Sequence, residues 1–348
     1  MMDQLEQRSM HESIARTDFV RRPPRDSSAD PLHREWLHFS VSGASWTLVL
    51  NFSITDDARS SSRRGRLVAL LRTEGGWEGD VVELGSSDVD ATPGEVFMRL
   101  GQNLVEFRDG AFVVTGELQH RELAFDLRLK PESFPSMANN VSLGAGRAPI
   151  NWVVVPRLRA TGTVQLGQRR LSAAGASAYH DHNWGYFGQR DFAWQWGHAW
   201  SDQPGAPETV VFTRLLNGNQ TFCFMQALLL WTGVRQDRVM REDEVNVHTE
   251  GRLRIQPFAV PRRARLLAEG TSVDIPRTVH IRSSGNDDWL NARFDAEDAA
   301  QIIVPNDDDL GTTLINEVVG KMSVEGQVRG RAVSFDGRAV FEFLGRGS

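Results

Sequence analysis

The chain has 348 residues, 40% hydrophobic and 24% charged, which is close to the globular average and long enough for two ordinary domains. Its 39 basic and 45 acidic residues leave a net charge of −6, so no basic field is available to hold a nucleic-acid backbone or an anionic membrane. The single cysteine, Cys223, excludes an intrachain disulfide and a thiolate zinc cluster, and its apolar setting T-F-C-F-M reads as a buried, inert thiol.

Residues 1 to 30 are polar and end in R-R-P-P-R-D-S-S-A-D-P (from 21, completed by Pro31), which reads as an extended or mobile arm. The N-terminus carries acids where a secretory signal would carry an apolar core, and no apolar run reaches about 18 residues. The expectation is a soluble, cytoplasmic protein without stable membrane insertion, touching a membrane only through its substrate.

From Trp36 onward short alternating or apolar runs follow one another: W-L-H-F-S-V, S-W-T-L-V-L-N-F-S-I, R-L-V-A-L-L-R, D-V-V-E-L, L-V-E-F, A-F-V-V-T-G-E-L and L-A-F-D-L-R-L. Each reads as a strand. Asp109-Gly110 and Asp336-Gly337, each between two such runs, are two-residue hairpin signals. Helical periodicity is confined to D-A-E-D-A-A-Q-I-I near 295–303, with a further turn in L-I-N-E-V-V-G-K-M. Many strands and few short helices predict an all-β chain of antiparallel barrels or sandwiches. The breaker-rich stretch 131–150 reads as a linker or as a loop over a cavity mouth. Because W-V-V-V-P-R-L-R-A-T-G-T-V still reads as strand, the boundary falls after it, giving domains 31–165 and 166–348.

The densest chemistry lies in A-Y-H-D-H-N-W-G-Y-F-G, residues 178–188. In an extended strand Tyr179, Asp181 and Asn183 share one face while His180, His182 and Trp184 share the other. A metal site would use His180 and His182 and recruit a third ligand such as His198. An acid/base site would instead use Tyr179, Asp181 and Asn183, with the histidines orienting the strand from behind. The bland reading has Asp181 capping a turn or orienting a histidine. A second strand, F-A-W-Q-W-G-H-A-W, puts Trp194, Trp196, His198 and Trp200 on one face, where they either fill a core or wall a long apolar pocket. A carboxyl enclosed by such rings loses hydration and holds its proton more tightly. It could protonate an alkene, the cation resting on indole faces at about 0.5–2 kcal/mol per ring. No P-loop, dinucleotide fingerprint or nucleophile elbow is present, and no third ligand lies at a diagnostic spacing from the two histidines, so the reading is of an enzyme without cofactor or metal.

The run Tyr179-His180-Asp181-His182-Asn183-Trp184-Gly185 resembles the aromatic-x-Asp-His-x-Trp-Gly signature of the carotenoid 1,2-hydratase-like family. R-E-W-L-H-F (34–39), F-A-W-Q-W (192–196), I-N-E-V-V-G-K-M-S-V-E-G-Q-V-R-G (315–330) and the terminal F-E-F fall in the order that family shows. The resemblance implies two consecutive lipocalin-like β-barrels with a ligand cavity at or near their interface. It also implies hydration or cyclisation of an isoprenoid or polyene, with Asp181 as proton donor. On that basis Glu35, Trp36, His38, Trp184, Trp194, Trp196, His198 and Trp200 would bind substrate. Leu37 and His38 stand where the family favours aromatics, which implies a more polar or reshaped pocket and argues against a full-length carotenoid. A lipocalin-like carrier without chemistry is the rival from another class.

Overall fold

The computed structural model describes residues 4–21, 32–60, 62–118, 122–144, 148–188, 192–203, 205–261, 275–306 and 311–346. Contacts divide the chain into two compact units, Met1–Gly188 and Gln189–Ser348. Among the described residues no helix is long and apolar enough to cross a membrane.

The first unit begins with α1 (Gln4–Thr17). Among the described residues its thirteen strands are β1 (Leu32–Ser42), β2 (Thr47–Asp57), β3 (Ser62–Thr73), β4 (Gly76–Leu84), β5 (Val89–Ala91), β6 (Phe97–Leu100), β7 (Asn103–Arg108), β8 (Ala111–Leu118), β9 (Leu123–Pro131), β10 (Ser136–Val141), β11 (Ile150–Leu166), β12 (Arg169–Ser172) and β13 (Ser177–Tyr186). They form one antiparallel sheet, eleven of them in the order β4-β3-β2-β1-β13-β11-β9-β8-β7-β6-β5, with β10 and β12 each paired to β11. Its far ends approach each other. Ser86 donates its hydroxyl to the Arg63 carbonyl at 2.9 Å, and a Cβ on Gly65 would sit 2.6 Å from Val89 and 2.7 Å from Leu100. The sheet therefore nearly closes into a barrel, which leaves little bare edge. Alternation fills it: β9 buries Leu123, Phe125, Leu127 and Leu129 and turns Asp126 and Arg128 outward.

Two expectations are corrected here. The N-terminal segment is not an extended arm over its described part, because Met10 and Ile14 of α1 are fully buried in the barrel core. Two apolar residues at i, i+4 among polar ones make a thin pattern, yet both anchor the helix. The remainder of the proline-rich stretch lies outside the described residues. The boundary also moves. Rather than opening the second domain, β13 pairs along its whole length with β1 and also with β11, so the histidine-rich motif belongs to the first unit. The 131–150 segment contributes β10, which pairs with β11.

The second unit contains β14 (Phe192–Ser201), β15 (Thr209–Asn217), β16 (Cys223–Trp231), β17 (Gln236–Arg241), β18 (Val245–Arg252), β19 (Phe258–Val260), β20 (Pro276–Gly285), β21 (Asp288–Pro305), β22 (Thr312–Val328) and β23 (Arg331–Arg346). They run in the order β17-β16-β15-β14-β23-β22-β21-β20-β18, with β19 beside β21. The helical signals at 295–303 and 314–322 are overridden, since both stretches lie in the long β21–β22 ladder, with a bulge between Ala296 and Asp298. Asp109-Gly110 does form its hairpin, with φ of 49° and 69°. Asp336-Gly337 does not: β23 runs straight through it, and the turn lies at Arg329-Gly330, with φ of 52° and 74°. Cys223 is half-buried rather than buried.

Candidate functional site

Strand β13 separates the motif into two chemically different faces. On the barrel side, His180 stacks on Phe39 at 4.2 Å between ring centroids and packs on Phe112 at 4.6 Å. Both phenylalanines belong to the core. His182 and Trp184 follow on the same side, with rings 5.0 Å apart.

The two histidines meet Asp18, the residue just past α1, whose backbone N–H caps back to the Ile14 carbonyl at 2.8 Å. Asp18 lies 2.8 Å from His180 Nε2 and 2.7 Å from His182 Nδ1. His182 Nε2 is 2.7 Å from Glu35 Oε1, and His180 donates Nδ1–H to the His38 carbonyl at 2.9 Å. The Arg21 N–H donates to Glu35 at 2.8 Å, while its guanidinium lies 3.9 Å from the centre of the Trp184 ring. Asp18, Glu35, His180 and His182 have no solvent exposure.

Charge decides the protonation. Burial alone would raise the Asp18 carboxyl, but the adjoining charge and hydrogen bonds of His180 and His182 hold it down at about 2. Burial alone would lower His182, but its hydrogen bonds to Asp18 and Glu35 lift it to about 9. An imidazole between two carboxylates can only donate from both nitrogens. Every ring nitrogen of His180 and His182 thus faces a protein oxygen, so the donor set that a metal would need is already in use.

The other face of β13 carries Tyr179, Asp181 and Asn183, as alternation predicts. Asp181 is 4% exposed and accepts a hydrogen bond from Asn183 Nδ2 at 2.6 Å. Register places His38 of β1 and Val154 of β11 directly beside Asp181, and Trp36 and Trp152 beside Asn183. Burial, followed by the neighbouring His180 charge, pushes His38 down to about 3, so it is a neutral imidazole. Of the residues expected to bind substrate, Trp36 and His38 share the Asp181 face, whereas Glu35 and Trp184 lie on the barrel side.

In the second unit, Trp194, Trp196, His198 and Trp200 form one row on β14, with Trp196–His198 and His198–Trp200 ring distances of 5.4 and 4.4 Å. The intervening Ala199 enters the core cluster, and none of the three indoles does. The row therefore lies on the sheet face turned away from that core. Glu342 of β23 stands directly across from Trp196, and Glu317 of β22 across from Glu342. Trp194 donates its indole N–H to Glu342. Sequence reading missed both glutamates, although each interrupts an apolar strand, and it missed Asp18 because only the docking of α1 brings it to the motif.

The two sheets define an all-β protein of two lipocalin-like domains. Similar solved structures include an AttH protein from Nitrosomonas europaea, at 12% identity and TM-score 0.60, covering 93% of this chain and 96% of that one. Kievitone hydratase from Nectria haematococca matches at 12% identity and TM-score 0.55, over 91% of this chain and 89% of that one. CghA, solved with Sch210972, matches at 13% identity and TM-score 0.58, over 90% and 88%. At these identities the likeness establishes the fold. No family model and no curated sequence matches the chain.

Proposed function

We propose that the chain is a cofactor-independent enzyme that protonates a double bond of a hydrophobic, isoprenoid- or polyene-type molecule through Asp181, with hydration or cyclisation following. The observation that carries this reading is the pairing of opposites across β13. A carboxyl removed from water sits on one face with an amide, a neutral imidazole and two indoles as strand neighbours. The ion cluster on the other face holds the strand from behind.

In the hydration, Asp181 gives its proton to one alkene carbon and the neighbouring carbon becomes cationic. Water adds there and its proton returns to the solvent or to the carboxylate, so alkene plus water becomes alcohol. Tyr179 and Asn183 are the polar partners, and Trp36 and Trp152 the apolar neighbours on the same face. The fold is shared with a kievitone hydratase and with CghA, which supports hydratase or cyclase chemistry over simple carriage. The second reading, a cyclase acting by confinement, draws on the indole row that lies away from its core.

The test is incubation of the purified chain with prenylated phenols and linear polyenes in deuterated water, followed by mass spectrometry. A hydratase yields a product heavier by one water, with deuterium on carbon. A cyclase yields an isomer. Quenching of tryptophan fluorescence with no product after long incubation would leave the carrier and end the proposal.

A further inference from the structure

Asp181 stands between two residues that are clamped from behind. His180 is held at both ring nitrogens, by the His38 carbonyl at 2.9 Å and by Asp18 at 2.8 Å, and His182 likewise, by Asp18 at 2.7 Å and Glu35 at 2.7 Å. A residue whose two chain neighbours are fixed in this way has little freedom to turn about its own strand. Asp18 is the group common to both rings, and it comes from the end of α1 rather than from the sheet. Glu35 extends the tether, since it also accepts the Arg21 N–H at 2.8 Å and so binds the chain beyond the helix to β1.

One of these bonds reaches the opposite face. The carbonyl that His180 engages belongs to His38, whose side chain shares the Asp181 face and whose place in the register is directly beside Asp181. Fixing that peptide fixes where the His38 imidazole stands against the carboxyl. The path from Asp18 through His180 to His38 thus crosses the sheet from the helix to the proposed acid. Stability alone does not account for it. Met10 and Ile14 already anchor α1 in the core, and a buried set of charges adds no more stability than apolar residues of similar volume would.

We infer that Asp18 is a positioning residue for Asp181, acting through His180 and His182 across β13, so that the docking of α1 sets the geometry of the reactive face. This rests on the proposed role of Asp181. Asp18 exchanges no proton with the substrate in this scheme. Its part is to hold Asp181 and His38 in one arrangement, where a misplacement of about 1 Å costs about 10²-fold in rate.

The experiment uses the full chain carrying isotope-labelled aspartate carboxyls and histidine rings. NMR at neutral pH follows Asp181 and His38, assigned by the signals missing from Asp181→Asn and His38→Gln. Three variants are compared. Asp18→Asn keeps the size of the side chain and removes its charge, His180→Gln removes the donor to the His38 carbonyl, and Met10→Ala loosens the same helix without touching the ion pairs. Circular dichroism confirms each fold, and all measurements are made well below the lowest unfolding midpoint. Should Asp18→Asn fail to fold, His180→Gln carries the same comparison.

Asp18→Asn and His180→Gln should displace the Asp181 and His38 signals and lower turnover by about 10²-fold with quenching affinity unchanged. Met10→Ala should leave signals and rate as in the wild type. Unmoved signals or an unchanged rate in the first two variants would overturn the inference. So would an equal displacement in Met10→Ala, because the helix would then act as structure alone. Full turnover in Asp181→Asn, or none in the wild type, would instead overturn the proposed function, while displaced signals would still show the link from Asp18 to Asp181.

Discussion

His182 and Asp18 are separated by most of the first unit's sequence, yet their Nδ1 and Oδ1 atoms lie 2.7 Å apart with neither side chain exposed. This contact ties stability to pH in two separate windows. His182 rises from 6.5 to about 9 on folding, so its contribution is fully present below 6.5 and is lost as pH climbs through 9. Asp18 falls from 3.8 to about 2, so its contribution is present above 3.8 and is lost as pH falls through 2. The His182 shift corresponds to about 3 kcal/mol, which is not added to that of Asp18 because both count the same contact. Thermal midpoints measured across pH should show an alkaline decline between 6.5 and 9 that His182→Gln removes. A decline of equal size in that variant would assign it to other groups.

Removing Asp18 takes the shared carboxylate from both buried imidazoles, leaving His182 with Glu35 and His180 with the His38 carbonyl. Asp18→Ala should cost about 3–5 kcal/mol, the usual price of stranding a buried charge. Glu12→Ala, on the solvent side of α1 and paired with exposed Arg8 and Arg16, should stay within about 0.5 kcal/mol. Urea midpoints compare the two. Similar small losses would mean that α1 contributes only its apolar anchors.

Much of this was legible beforehand, for reasons that can be named. Alternation alone placed Asp181 opposite His180 and His182, because side-chain facing in a strand has a period of two whatever surrounds it. The same rule set Trp194, Trp196, His198 and Trp200 in one row. Pairing partners are not legible: nothing local says that β13 lies between β1 and β11, so a boundary read from local pattern falls too early and Asp18 carries no local signal. Periodicity misled at 295–303, where Ala, Glu and Gln favour a helix but the long β22 partner decides. The Asp-Gly rule worked at 109–110 and failed at 336–337, where glycine meets a different demand.

Acid catalysis and confinement predict opposite orders of damage. If Asp181 supplies the proton, Asp181→Asn should lower turnover by about 10²–10⁴ while ligand quenching and fold persist, and Trp196→Ala should cost less. If the chain only folds its ligand into a reactive shape, Trp196→Ala should be the worse of the two. Initial rates on whichever substrate the incubation yields, set beside quenching affinities, separate the cases. An unchanged rate in Asp181→Asn ends the acid role.

Gly337 and Gly330 are a last pair in which sequence and structure disagree, and alanine distinguishes them. Gly330 sits in the β22–β23 turn at φ +74° with open space where a Cβ would go, so Gly330→Ala meets only the conformational cost, about 1 kcal/mol. Gly337 lies inside a strand, where a Cβ would fall 1.6 Å from the Trp200 carbonyl oxygen and 2.6 Å from its carbon. That obstacle is backbone, and it belongs to the strand that carries the indole row, so β14 and β23 must part or shift. Gly337→Ala should therefore cost about 3 kcal/mol, and it should perturb tryptophan fluorescence where Gly330→Ala does not. Unfolding midpoints and emission spectra of the two variants check this. Equal losses with unchanged emission would show that Gly337 is not needed for the approach of the two strands.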